Sequence, residues 1–148
     1  MRNLSSTDLF IFYNIEDYEN VMRLIDDLIY TFPPKVQFTA KTALMEAIDN
    51  SIEHGDFPIE VTFYQTNLEL KICVRDSGKG FAVQPLIELI LRDGIDNLFD
   101  GIKFGLRGRG ILLMYKLVKS VTFNTKGNEV NLRLSHPHLQ KQLLQEKI

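Results

Sequence analysis

Between Ile59 and Val74 the apolar side chains fall on every second residue, twice over: Ile59, Val61 and Phe63, then, past Thr66 and Asn67, Leu68, Leu70, Ile72 and Val74. A period of two puts one set of side chains on one face of a strand, so the stretch predicts two strands joined at a Thr66-Asn67 turn, each with a single apolar face. Such a hairpin has to bury that face. The segments on either side of it supply the means.

Upstream, Leu9 to Tyr13 is an apolar and aromatic run suited to a strand. Asn14 or Asp17 is placed to cap a helix in which Val21, Leu24, Ile25, Leu28 and Ile29 recur at helical spacing, and the Pro33-Pro34 pair is expected to stop it. A second helix is expected from about Val36 to His54, with Gly55 ending it in a left-handed conformation. Its faces differ in kind. Ala40, Leu44, Ala47, Ile48 and Ile52 make an apolar face, while Thr42, Glu46, Asp49, Asn50 and Glu53 form a polar stripe.

Downstream, two glycines in Asp76–Gly80 break the strand alternation. Pro85 to Phe99 reads as a short helix with a turn near Asp93-Gly94, and Asp100 to Gly110 as a loop rich in glycine and basic residues. Ile111 to Val118 is helix-like, and Val121–Thr125 with Val130–Leu134 reads as a closing hairpin around Lys126-Gly127-Asn128. The order groups strands with strands. It predicts an α+β fold, a two-layer α/β sandwich in which helices cover one face of a mostly antiparallel sheet.

A chain of 148 residues is expected to be one domain, with a core over about 11–134 and a polar tail over 135–148. Seventeen basic and 19 acidic residues in mixed order leave no broad basic face for direct nucleic-acid binding. No run approaches the roughly 20 apolar residues needed to span a membrane, and the polar Met1–Asp8 lacks a secretory signal. With a single cysteine, Cys73, a cytoplasmic location is expected.

Three short segments hold residues suited to chemistry. In Glu46-Ala-Ile-Asp-Asn50-Ser-Ile-Glu-His54-Gly55, Glu46 and Asn50 are one helical turn apart, so a carboxylate and an amide point the same way. An amide oxygen is a hard ligand suited to Mg2+, and a carboxylate beside it can deprotonate an attacking hydroxyl. In Asp76-Ser-Gly78-Lys-Gly80-Phe81, a carboxylate at a strand end can accept from an exocyclic amine, and the glycines allow close approach to a flat ring. In Gly105-Leu-Arg107-Gly108-Arg109-Gly110-Ile111, glycines and two arginines precede a helix, where backbone N–H groups favour anions. Taken singly, these also describe a solvated helix face, a plain turn and a surface loop.

Taken in order, Glu-Ala-x-x-Asn-x-x-x-His-Gly, Asp-x-Gly-x-Gly and Gly-x-Gly-Ile resemble the Bergerat-type, histidine-kinase-like ATP-binding fold. The short form, without a dimerisation helix pair or a phospho-accepting histidine segment, looks most like the anti-sigma factor serine/threonine kinases. The resemblance runs from about Ile11 to Leu134. It implies ATP and Mg2+ as cofactors, Glu46 as catalytic base, Asn50 as metal ligand, Asp76 as reader of the adenine amine, and Gly78 and Gly80 as shapers of the base pocket. Gly108 and Gly110 would cradle the phosphates with Arg107 and Arg109 nearby, under a lid formed by Phe81 to Gly108.

By the same resemblance the partners would be a sigma factor and an antagonist protein of the STAS class, phosphorylated on serine or threonine, with the kinase a homodimer. A non-catalytic nucleotide-binding module holding a protein partner would show almost the same sequence, and the ATPase half of a sensor histidine kinase would need an acceptor helix from another chain. The sequence departs from the family in two places. Asn128 follows Gly127 where the family often has a Thr that helps bind adenine, and Lys103 to Arg109 is unusually basic. Asn can supply similar hydrogen bonds.

Overall fold

The computed structural model describes residues 5–94 and 106–135. In chain order these form β1 (Ser6–Phe12), a 3-10 turn (Ile15–Asp17), α1 (Tyr18–Ile29), α2 (Pro34–His54), β2 (Ile59–Gln65) and β3 (Glu69–Arg75). Then come α3 (Val83–Asp93), α4 (Leu106–Leu117), β4 (Ser120–Phe123) and β5 (Glu129–Ser135). The strands make one sheet in the order β1-β2-β3-β5-β4, with every neighbouring pair antiparallel.

The alternation read from the sequence sets which face is buried. Val61 lies opposite Val74, Phe63 opposite Ile72, and Ile72 in turn opposite Leu132. All five are inaccessible or nearly so. Onto them pack Met22 and Ile25 of α1, Ala40, Leu44, Ala47 and Ile48 of α2, and Ile111 and Met114 of α4. Each large aliphatic side chain buried here contributes about 2 kcal/mol relative to exposure. The opposite face is polar. Arg75 meets Glu129 at 3.0 Å, Arg133 meets Glu69 at 2.7 Å, and Lys71 lies over the ring of Tyr64.

Several boundaries differ from expectation for local reasons. Asn14 and Asp17 both act, as a reciprocal capping box on the 3-10 turn ahead of α1. The first helix ends at Ile29, before the prolines, and Pro34 instead opens α2, where a missing N–H costs nothing. Leu68, expected within the second strand of the hairpin, lies in the exposed turn. α3 stops at Asp93, where a turn is expected near Asp93-Gly94, and Gly94 follows with a φ of 80°.

The loop expected up to Gly110 is shorter than that, because α4 already begins at Leu106 and Gly108 and Gly110 are helical. Gly55 also differs: its φ is −101°, so left-handed geometry is not what α2 requires of it. No helix among the described residues is long and apolar enough to cross a membrane.

Candidate functional site

Along β3 the inward positions run Leu70, Ile72, Val74, and the next in register is Asp76. A strand period of two thus delivers a carboxylate to the core side of the sheet, where Asp76 is only 6% exposed. A buried carboxylate is costly unless hydrogen-bonded. Here Oδ1 accepts from the Gly78 N–H at 2.7 Å, the one hydrogen bond to this carboxylate among the described residues. The rest of its acceptor capacity faces a cleft.

That cleft lies between α2, the end of β3, α4 and the β4–β5 turn. Ala47, Asn50 and Ser51 form its helical wall, and Val74 and Asp76 line it from β3. Phe81, Met114 and Phe123 add apolar surface, and residues 127–130 close it. The Phe81 and Phe123 rings meet edge to face with centroids 5.4 Å apart, an arrangement that fixes both.

Gly55 explains why α2 ends where it does. A Cβ at this position would lie 2.3 to 2.6 Å from the carboxylate carbon and oxygens of Asp76, so only glycine leaves the carboxylate its place. Gly78 is constrained from the other side, with its Cβ position 2.9 Å from both Asp76 Oδ1 and the Gly55 Cα. Gly80, with φ of 77°, faces the β4–β5 turn, and a Cβ there would sit 1.9 Å from the Lys126 carbonyl oxygen.

On α2, Glu46 and Asn50 present one face to α4. The Cβ position of Gly110 lies 2.9 Å from Glu46 Oε2 and 3.7 Å from Asn50 Oδ1. Helices that meet through a glycine approach more closely than any side chain would allow, and the third sequence segment thereby reaches the first. Asn50 is half-buried, and its amide makes no hydrogen bond among the described residues. It is available to a ligand. Among the described residues no group of three or more His, Cys, Asp or Glu could hold a metal. An amide oxygen is a hard ligand, and Asn50 would suit Mg2+ with phosphates and water completing the shell.

Asn50 and Asp76 thus come together at the cleft, Gly78 holds the Asp76 carboxylate, Gly80 faces the β4–β5 turn, and Glu46 stands one turn along α2 beside Gly110. Gly108 is in the first turn of α4, while the side chains of Arg107 and Arg109, residues 95–105 of the lid expected over Phe81 to Gly108, and the tail from 136 to 148 lie outside the described residues. Asn128 lines the cleft, and its side chain also holds the Asp76 carbonyl and Asn124. Sequence reasoning missed Ser51, Met114 and Phe123 as cleft walls, and it missed Asn124. The signal for Asn124 was an Asn three residues before Gly127, since such an Asn accepts backbone N–H groups in turns.

An acceptor carboxylate at the base of a partly apolar cleft, with an unengaged amide on the wall, suits a ligand that is flat and amine-bearing at one end and anionic at the other, as a nucleotide is. The model of the histidine kinase-like ATPase domain matches residues 14–134, and the chain belongs to that family. Membership implies an ATP-binding, kinase-like module, with Mg2+ the usual companion of the nucleotide. A search among curated proteins finds no match.

Proposed function

We propose that this chain is an ATP-dependent serine/threonine protein kinase of the anti-sigma type, which regulates transcription by partner switching in the cytoplasm. The observation that supports it most directly is the buried Asp76 carboxylate opening onto a cleft that Asn50 of α2 also lines. Asp76 accepts a hydrogen bond from the adenine amine, a group that guanine replaces with a repelling carbonyl. Asn50 holds Mg2+ through its amide oxygen. The metal, when bound, neutralises charge on the β- and γ-phosphates.

Glu46 receives the proton of the attacking hydroxyl. It stands one turn from Asn50 on the same face of α2, which supports a shared part for the two in orienting the acceptor. The first turn of α4 offers backbone N–H groups to the phosphates, with Arg107 and Arg109 adding charge. The acceptor is a serine or threonine on an antagonist of the STAS class, a sigma factor is the competing partner, and the working unit is a homodimer.

The test is transfer of labelled γ-phosphate to candidate STAS-class proteins. Wild-type chain transfers label, and Glu46→Gln binds ATP with near-normal affinity but transfers none. Nucleotide binding without transfer to any candidate would instead favour a module that uses ATP only to hold a partner.

A further inference from the structure

Both backbone groups of Asp76 are taken by Asn128. The Asp76 N–H donates to the Asn128 carbonyl at 2.9 Å, and the Asp76 carbonyl accepts from Asn128 Nδ2 at 2.8 Å. The other end of that amide, Oδ1, accepts from Asn124 Nδ2 at 2.6 Å. Asn124 Oδ1 in turn accepts the backbone N–H groups of Gly127, Asn128 and Glu129 at 2.8, 3.0 and 3.1 Å.

This series of bonds has one polarity. Only an oxygen can take three N–H donors, so Asn124 must turn its NH2 toward Asn128. Asn128 must answer with its oxygen, which leaves its own NH2 for the Asp76 carbonyl. Two amide orientations that are ordinarily ambiguous are therefore set by donors in the β4–β5 turn. The same turn interlocks with the Asp76 loop through glycine. A Cβ at Gly127 would lie 2.3 Å from the Phe81 carbonyl oxygen, and one at Gly80 1.9 Å from that of Lys126.

We propose that Asn124 is a positioning residue for base recognition: acting through Asn128, it fixes the Asp76 carboxylate where it accepts from the 6-amino group of adenine. This rests on reading the cleft as an adenine site. Asn124 does not itself line the cleft, so an effect on base preference has to pass through the residues it holds.

Asn124→Asp separates the two jobs of this side chain. It keeps an oxygen for the three backbone N–H groups, yet has no N–H to give. Asn128 would then turn its NH2 to the new carboxylate and its oxygen to the Asp76 carbonyl, setting two acceptors face to face. Asn128→Ala removes the clamp without adding charge and leaves the bonds from the turn to Asn124 in place. The experiment is calorimetry on the full chain with Mg-ATP, Mg-GTP and inorganic triphosphate, after a thermal melt has shown each variant folded.

The ATP-over-GTP preference should fall about tenfold in both variants, as expected for misplacing one charge-assisted hydrogen bond, with triphosphate binding changed less than about twofold. A merely structural role would weaken all three ligands alike, and that result overturns the proposal. Asp76→Asn is the control for the adenine reading. If it abolishes the preference while both clamp variants keep the wild-type ratio, the positioning role falls and the adenine site stands. If it leaves the ratio unchanged, the adenine site falls and the positioning role with it. Should Asn124→Asp fail to fold, Asn128→Ala decides by the same ratio.

Discussion

Gly110 of α4 lies so close to Glu46 of α2 that a methyl group on it would stand 2.9 Å from Glu46 Oε2. The obstacle is the tip of a flexible side chain, so Gly110→Ala moves the carboxylate rather than the helix. Alanine is also the better helix former by about 1 kcal/mol. The variant should melt at or above the wild-type temperature while transferring phosphate at least about tenfold more slowly, a displaced general base being worth at least that much. Thermal melting and a phosphotransfer assay on one preparation check both halves. Unchanged transfer would show that the position of Glu46 does not matter to the chemistry.

Gly55→Ala makes a different prediction, because the obstacle there is the Asp76 carboxylate itself, at 2.3 to 2.6 Å. The obstacle is a side chain, so the strain is relieved by expelling Asp76 from its place. ATP affinity should fall by about tenfold or more, the value of a hydrogen bond to a charged group. Gly94→Ala provides the contrast. Nothing lies within 4 Å of its Cβ position, but φ of 80° should cost about 1 kcal/mol of stability with ATP affinity unchanged. Titration calorimetry beside urea unfolding distinguishes the two patterns.

Asp49 has a pKa raised first by burial and then by the Glu53 carboxylate one turn further along α2. A carboxyl whose folded pKa exceeds its unfolded value keeps its proton longer in the native state. Its contribution is therefore intact at pH below the unfolded value and is lost as pH rises through the folded one. Asp49→Asn should stabilise the chain at pH 7 by a few tenths of a kcal/mol, the scale of a like-charge pair at this spacing. The gain should vanish near pH 3, and urea midpoints at the two values test it. An equal gain at both would mean that Asp49 acts through something other than its charge.

Cys73 sits on the polar face of the sheet, half-buried beside Glu129. Burial, then the charge and hydrogen bond of Glu129, push its thiol up to about 12. Alkylation at pH 8 should run at least ~100-fold slower than for an unperturbed thiol of pKa ~8.5. Glu129→Gln should quicken it, as followed by mass spectrometry of iodoacetamide-treated protein. A rate equal to that of a free thiol would contradict the assigned environment.

The parts legible in the sequence were those governed by period. Ile59, Val61, Phe63 and Leu70, Ile72, Val74 announced their strands and their buried face, and the apolar stripe of α2 announced the covering helix. The same register, extended by one step, carries Asp76 inward. What the sequence concealed were roles that depend on a neighbour distant in the chain. Gly55 looks like a helix stop until the Asp76 carboxylate is placed against it. Gly108 and Gly110 look like loop residues because glycine disfavours helices, and only the approach of Glu46 explains Gly110 within one. Asn128 has the right chemistry for an adenine contact, but its hold on the Asp76 carbonyl and on Asn124 depends on neighbours the sequence does not bring together.

Strand order has a consequence for how the site comes into being. β2–β3 and β4–β5 are hairpins of neighbours, and each can pair early from local contacts. The seam between them, β3 against β5, joins residues as far apart as Asp76 and Asn128, 52 positions along the chain. The cleft straddles that seam, so neither hairpin alone contains it. Nucleotide binding is therefore linked to closure of the sheet's longest-range pairing: any partly folded form that parts the hairpins must release ATP, and bound ATP must slow the amide exchange of β3 and β5.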